Sequence, residues 1–218
     1  MRVADRHAES IKVSSFLSKL PVIGREQKED VKRMAPEELI PLLQNAGVDF
    51  VLAGAHGIAG WMAEPRATQD VDFIIRIRDK QKATDALLAK HPNLEIEKHP
   101  DVWRFKSGEQ YVVDLILTRA PLFRRVIKEF KTTRIGKREA KVPKLEAALA
   151  MKFASMTGHW RKLEKKYSDA SDFASMARHN PAINEGLLRE LGELVYPGGG
   201  VDLVRYVEDV RAGRKLEI

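Results

Sequence analysis

Apolar residues in the first two-thirds of the chain come in short runs. Residues 48–53 (VDFVLA), 71–77 (VDFIIRI) and 111–117 (YVVDLIL) are rich in β-branched and aromatic side chains and too short for ordinary helices, so they predict buried strands. Residues 94–99 and 102–106 alternate apolar and polar positions, which predicts two more strands, and Ser107-Gly108 offers a hairpin turn before residue 111. Helices are predicted between these strands. Residues 36–45 open on Pro36, Glu37 and Glu38 and stop at Gly47, in accord with proline at the first turn and acids at the positive end of the helix dipole. Residues 58–63 form a short helical stretch ended by Pro65, residues 79–90 and 121–130 are helical, and residues 134–142 fit a short hairpin around Gly136-Lys137.

The pattern changes at Pro143. Residues 145–156, 162–178, 182–195 and 201–211 carry helical periodicity, and Pro197-Gly198-Gly199-Gly200 breaks the last two apart. The glycine triplet lacks the lysine and serine or threonine of a phosphate loop and is read as a turn. Residues 1–35 are polar and basic and predict a loosely attached helix or arm. The expected organisation is therefore an arm over 1–35, a mixed α/β unit over 36–142 and a helical unit over 143–218, without internal repeats or low-complexity tracts.

Composition narrows the function classes. The chain has 218 residues, 44% hydrophobic and 32% charged, as in ordinary globular proteins. It has no run long enough to span a membrane and no apolar signal core in MRVADRHAES. The absence of cysteine excludes disulfides and thiolate metal sites and fits a cytoplasmic protein. A net charge of +7 suits a polyanionic partner such as RNA or a nucleotide, and equally a merely soluble surface.

The chemistry concentrates in residues 50–75. Asp70 and Asp72, one residue apart at the start of an apolar run, are expected on one face of a strand. Two adjacent carboxylates repel unless a cation or a proton lies between them. Asp114 stands in another apolar run and is a third candidate for the same cluster. Three carboxylates suffice for Mg2+ (or Mn2+), which takes oxygen ligands and keeps several waters. Asp70 and Asp72 are assigned as paired or bridging ligands, and Asp114 as a ligand that also helps deprotonate an attacking hydroxyl.

Gly54, Ala55, Arg66, Thr68, Asp70 and Asp72, with Asp114 downstream, resemble the signature of the polymerase-β superfamily of nucleotidyltransferases. The similarity is greatest to the small nucleotidyltransferase-like proteins of the abortive-infection type IV toxin kind, and it spans roughly residues 48–176. The resemblance implies an α/β (α+β) fold with a mixed sheet flanked by helices and a helical carboxy-terminal domain. It implies a magnesium-dependent enzyme that moves a nucleoside monophosphate from an NTP to a hydroxyl of tRNA or protein, as the toxin of a toxin–antitoxin pair with an antitoxin protein as partner. The family's glycine or serine after the first glycine is Ala55 here, followed by His56.

The resemblance places Gly54, Ala55, Arg66, Thr68 and Lys152 around the nucleotide, and His56 joins them as a nucleotide-binding candidate by its place in the turn beside Gly54. His56 is open to phosphate binding or to a capping role. Arg66 is open to pairing with phosphate or to locking the strand that carries the aspartates. Lys152, a lone cation in the apolar run LEAALAMKFASM, needs an anion or a path to solvent. Asp169 and Asp172 share a helix face and are read as salt-bridge partners of Lys152 or Arg161 or as caps, with a direct catalytic role as the alternative. Trp160–Tyr167 (WRKLEKKY) fits RNA or a solvated helix face, and Trp61 and Trp103 fit a core or pocket wall. Three other readings remain beside the enzyme. They are a non-catalytic nucleotide- or RNA-binding relative, a small-molecule (antibiotic-type) nucleotidyltransferase, and an interaction protein in which Asp70 and Asp72 pair with Arg66 or Lys152.

Overall fold

The computed structural model describes residues 3–20, 34–159 and 161–216. Residues 21–33 of the expected arm, and Trp160 of the basic-aromatic cluster, lie outside the described residues. The elements in chain order are α1 (Val3–Lys19), α2 (Pro36–Asn45), β1 (Phe50–Leu52), α3 (Gly54–Ile58), β2 (Val71–Ile75), α4 (Lys80–Lys90), β3 (Glu95–Lys98), β4 (Val102–Ser107) and β5 (Gln110–Leu117). They continue with α5 (Pro121–Val126), β6 (Phe130–Ile135), β7 (Arg138–Pro143), α6 (Leu145–Thr157), α7 (Leu163–His179), α8 (Glu185–Glu193) and α9 (Gly199–Arg211).

Five strands form one sheet in the order β1-β2-β5-β4-β3, with β2 and β5 parallel and the other pairs antiparallel. The crossover between β2 and β5 is long enough to hold α4 and the β3–β4 pair, as a parallel pairing demands. β6 and β7 form a separate hairpin. Its turn falls at Gly136, where φ is +61°, and the hairpin is longer than the sequence pattern suggests because Phe130 opens β6 instead of closing α5.

Side-chain alternation assigns the two faces of the sheet. Phe50, Leu52, Val71, Phe73, Ile75, Phe105, Val113 and Leu115 bury one face together with Leu39, Ile40 and Leu43 of α2 and Leu87 of α4. Val51 and Ile74 point the other way and share a core with Phe153 of α6, Phe173 of α7, Leu191 of α8 and Val207 of α9. The helical carboxy-terminal region thus packs directly on the sheet, on the face that carries Asp72 and Asp114.

α1 is well packed. Ile11 and His7 are fully buried, and the ring of His7 meets the edge of Trp61 at a centroid distance of 4.4 Å. The helix at residues 58–63 is displaced relative to the sequence reading. α3 begins at Gly54 and passes into a 3-10 turn at Ala59–Trp61, because Gly54 bends the chain straight out of β1 with a φ of +57°. None of the described helices is long and apolar enough to cross a membrane.

Candidate active site

Asp72 and Asp114 are register partners on the parallel strands β2 and β5. Asp70 lies in the bend just before β2, one residue short of the strand expected from the sequence. The three carboxylates still converge: one oxygen from each lies within 4.8 Å of the others. Asp70 is held by Thr68, whose hydroxyl donates to Oδ1 at 2.6 Å. The backbone of Asp72 is fixed at its carbonyl, which accepts from the amide of Ala53 at 2.8 Å.

Electrostatics in the trio match crowded, poorly solvated acids. Burial, then the charges of Asp70 and Asp114, hold the Asp72 carboxyl well above its ordinary value. Burial also pushes Asp114 up to about 6, with Arg104 pulling in the opposite direction. Asp114 is 4% exposed. Its Oδ2 accepts from Arg104 Nε at 3.2 Å and lies 3.1 Å from the terminal Nη2, whereas its Oδ1 is buried with no hydrogen-bond partner. A buried carboxylate oxygen without a partner is costly, and a cation shared with Asp70 and Asp72 would satisfy it. The donor set, all oxygen, fits a hard divalent ion such as Mg2+ or Mn2+.

Gly54 faces this cluster. A Cβ built on it would stand 1.7 Å from Asp72 Oδ2, so only glycine allows the carboxylate its place. Ala55 follows, buried on α3. His56 is turned into the protein. Because α3 starts at Gly54, the ring falls on the inward face of that helix, 2% exposed, with Nδ1 3.1 Å from Ser14 Oγ. Burial lowers its pKa to about 4, so it is neutral at physiological pH.

Arg66 and Lys152 are both committed to carboxylates. Arg66 donates from Nε and Nη2 to the two oxygens of Asp172, each at 2.9 Å, a fork that ties the loop before β2 to α7. It does not lock the strand of Asp72 directly. Lys152 Nζ lies 2.7 Å from both Asp169 and Asp172, and Arg161 completes the group at 2.7 Å from Asp169. Lys152 remains close enough to act on the charge of Asp72.

Sequence reasoning missed Arg104, Ser14 and Ser18. Ser14 Oγ donates to the carbonyl of Arg66 at 2.7 Å, and Ser18 Oγ accepts from the amide of Thr68 at 3.0 Å, so α1 shapes the loop that delivers Asp70. The signal was present as serines spaced four apart on α1, on a buried face shared with His7, Ile11 and Ser15. Arg104 could be found only from the register that sets it opposite Asp114.

Two cavities lie away from the trio. One of ≈ 290 Å³ is lined by Asp49, Thr132 and Lys141, and one of ≈ 320 Å³ by Arg6, Trp61 and Lys131. Asp70 and Asp72, by contrast, are each only partly buried. Trp61 is a cavity wall with its indole N–H on the carbonyl of Pro143 at 2.9 Å, and Trp103 is buried beneath Lys98.

No family model and no curated protein matches the chain. Solved structures do. An antigenic nucleotidyltransferase-like protein from Paracoccidioides brasiliensis superposes with a TM-score of 0.50 at 19% identity, covering 79% of this chain and 89% of that one. The lincosamide antibiotic adenylyltransferase LnuA, with lincomycin bound, gives 0.47 at 18% identity over 66% of this chain and 99% of that chain. ANT(2'')-Ia in complex with adenylyl-2''-tobramycin gives 0.46 at 10% identity over 80% and 94%. The likeness to the Paracoccidioides protein is one of fold. The chain has a nucleotidyltransferase-like fold: a five-stranded mixed sheet flanked by helices, with a helical carboxy-terminal region.

Proposed function

We propose that the protein is a metal-dependent nucleotidyltransferase. The observations that carry this reading are the trio Asp70, Asp72 and Asp114, one carboxylate oxygen of each within 4.8 Å of the others, and the buried, unpartnered Oδ1 of Asp114, on a nucleotidyltransferase-like fold. In the reaction an acceptor hydroxyl attacks the α-phosphorus of an NTP. The bond from that phosphorus to the oxygen bridging the α- and β-phosphates breaks, pyrophosphate leaves, and the hydroxyl proton is released. Magnesium, when bound, supplies charge neutralisation for the phosphates and activation of the attacking oxygen.

The protein's share is placement. Asp70 and Asp72 would hold the ion from the β2 side, with Thr68 fixing Asp70 and Gly54 making room for Asp72. Asp114 would hold it from β5 and help remove the proton of the acceptor. Lys152 and Arg66 give the helical side of the cleft a positive character toward the triphosphate, while Asp169 and Asp172 fix their positions. His56 contributes by packing. The net charge of +7 supports a polyanionic acceptor, a tRNA end being the natural candidate, over a small cationic molecule.

A labelled-nucleotide assay tests this. The protein is incubated with each α-labelled NTP, magnesium and total tRNA, beside Asp72→Asn. Label carried to RNA by the wild type alone supports the reading. Saturable nucleotide binding without transfer to RNA, protein or small hydroxyl acceptors would favour a non-catalytic relative.

A further inference from the structure

The polar face of the sheet is organised beyond the trio. Asp72, Asp114, Arg104 and Glu97 are successive register partners across β2, β5, β4 and β3, so they form one transverse row. Arg104 donates from Nε to Oδ2 of Asp114 at 3.2 Å, and its Nη2 pairs with the same oxygen at 3.1 Å. Its guanidinium lies 4.6 Å over the centre of the Tyr111 ring. The Tyr111 hydroxyl in turn donates to Glu97 at 2.6 Å, and Glu97 also takes Lys106 at 2.9 Å and lies 2.6 Å from His99 Nε2. A chain of contacts therefore runs from the sheet edge through Glu97, Tyr111 and Arg104 to Asp114. It fixes which oxygen of Asp114 remains for a ligand.

Building on the cation-site reading above, we propose that Arg104 is a positioning residue that restricts Asp114 to a single ligand oxygen, Oδ1, and so makes the site select a small octahedral cation over calcium. Calcium takes about six to eight oxygens and fills that larger shell in part with carboxylates gripped by both oxygens, whereas magnesium demands a near-ideal octahedron, which a single oxygen per carboxylate suits. A two-oxygen grip on Asp114 would require both Arg104 bonds to break beside a buried carboxylate, where an uncompensated guanidinium and the stacked Tyr111 oppose the movement. A small ion needs only Oδ1, which the structure already leaves free.

The charge of Arg104 alone does not produce this selectivity. Its removal strengthens the attraction for every divalent cation alike, so the ratio of affinities isolates the geometric role. Outer partners of metal ligands commonly change metal affinity by about 10- to 100-fold.

The test is Mn2+ binding to the full chain by electron paramagnetic resonance, with Ca2+ as competitor. It is run on the wild type, Arg104→Met, Arg104→Lys and Asp72→Asn, with the unfolding temperature of each metal-free protein as a check on folding. Wild-type binding abolished in Asp72→Asn, and a Mn2+-over-Ca2+ preference that falls about 10-fold in Arg104→Met, is the expected result. Arg104→Lys, with one donor direction in place of a fork, shows a smaller fall in the same direction and carries the test if Arg104→Met does not fold. An unchanged preference in a folded Arg104 variant overturns this role alone. A wild type with no Mn2+ binding sensitive to Asp72→Asn overturns the cation site itself, and this inference with it.

Discussion

Gly54 and Asp72 stand so close that no side chain fits at position 54 beside the carboxylate: a Cβ on Gly54 would come within 1.7 Å of Asp72 Oδ2. Gly54 also has a φ of +57°, a conformation that costs an L-residue about 1–2 kcal/mol. Gly54→Ala must therefore push the carboxylate out of the cluster. Nucleotidyl transfer should fall by about 100-fold or more, since displacements near 1 Å at a reacting centre have that effect. Mn2+ binding should weaken in parallel while the protein still folds, which circular dichroism and a binding titration would establish. Full activity in Gly54→Ala would mean that Asp72 is free to sit elsewhere.

Asp72 itself should show opposite effects on function and stability. Its pKa is raised in the folded state, so between its ordinary value and its folded value the native state holds more proton than the unfolded state. Stability from this group is greatest at low pH and is lost as pH rises through that window; Asp114, pushed up to about 6, behaves the same way. Asp72→Asn removes the repulsion. In chelator at pH 7.5 the variant should unfold at a higher temperature than the wild type, and added magnesium should stabilise only the wild type. A lower unfolding temperature for Asp72→Asn in chelator would refute this account of the trio.

The ion group on α6 and α7 makes a third case. Lys152 lies 2.7 Å from two buried carboxylates, Asp169 and Asp172, and is nearly enclosed itself. Burial alone would raise Asp172, but the Arg66 fork and the Lys152 charge outweigh it and hold the carboxyl below its usual range. Lys152→Met leaves two acids with weaker compensation and should cost about 3 kcal/mol, toward the lower end for a broken buried pair because Arg66 and Arg161 remain. Urea unfolding would show a lower midpoint with an unchanged slope. Replacing Asp169 and Asp172 together with asparagine in the same background should recover part of the loss.

Much of this arrangement was legible in the chain. Asp72 and Asp114 stood out because a charge in a β-branched run has few cheap explanations, and β2 and β5 do bring them level. α2 runs over the residues that its proline, acids and stop glycine foretold. What escaped were relationships set by register and by contacts distant in sequence. Arg104 reads as an ordinary polar strand position until β4 is laid against β5. His56 reads as a turn residue until Gly54 proves to be the first residue of α3, which rotates the ring inward. The pairing of Lys152 with Asp169 or Asp172 was legible, but not that both acids, 17 and 20 residues further along the chain on another helix, hold it at once. Periodicity cannot rank such partners.

The last prediction concerns acid. His7 is 0% exposed, neither ring nitrogen has a hydrogen-bond partner, and burial lowers its pKa from 6.5 to about 3, helped by Lys131 and Arg6. His56 is lowered to about 4. For a base depressed in the folded state, the unfolded chain binds the extra proton first as pH falls below 6.5. Stability is therefore lost progressively from there down toward the folded pKa, against the trend set by Asp72 and Asp114. At pH 5 the His7 contribution alone amounts to about 2 kcal/mol. Because His7 makes no hydrogen bond, an apolar replacement of similar length leaves nothing unpaired. His7→Leu should be close to neutral at pH 7.5 and more stable than the wild type by about 2 kcal/mol at pH 5. Denaturant unfolding at the two pH values measures both, and equal wild-type and variant stabilities at pH 5 would place a charged or solvated imidazole where the structure has a dry one.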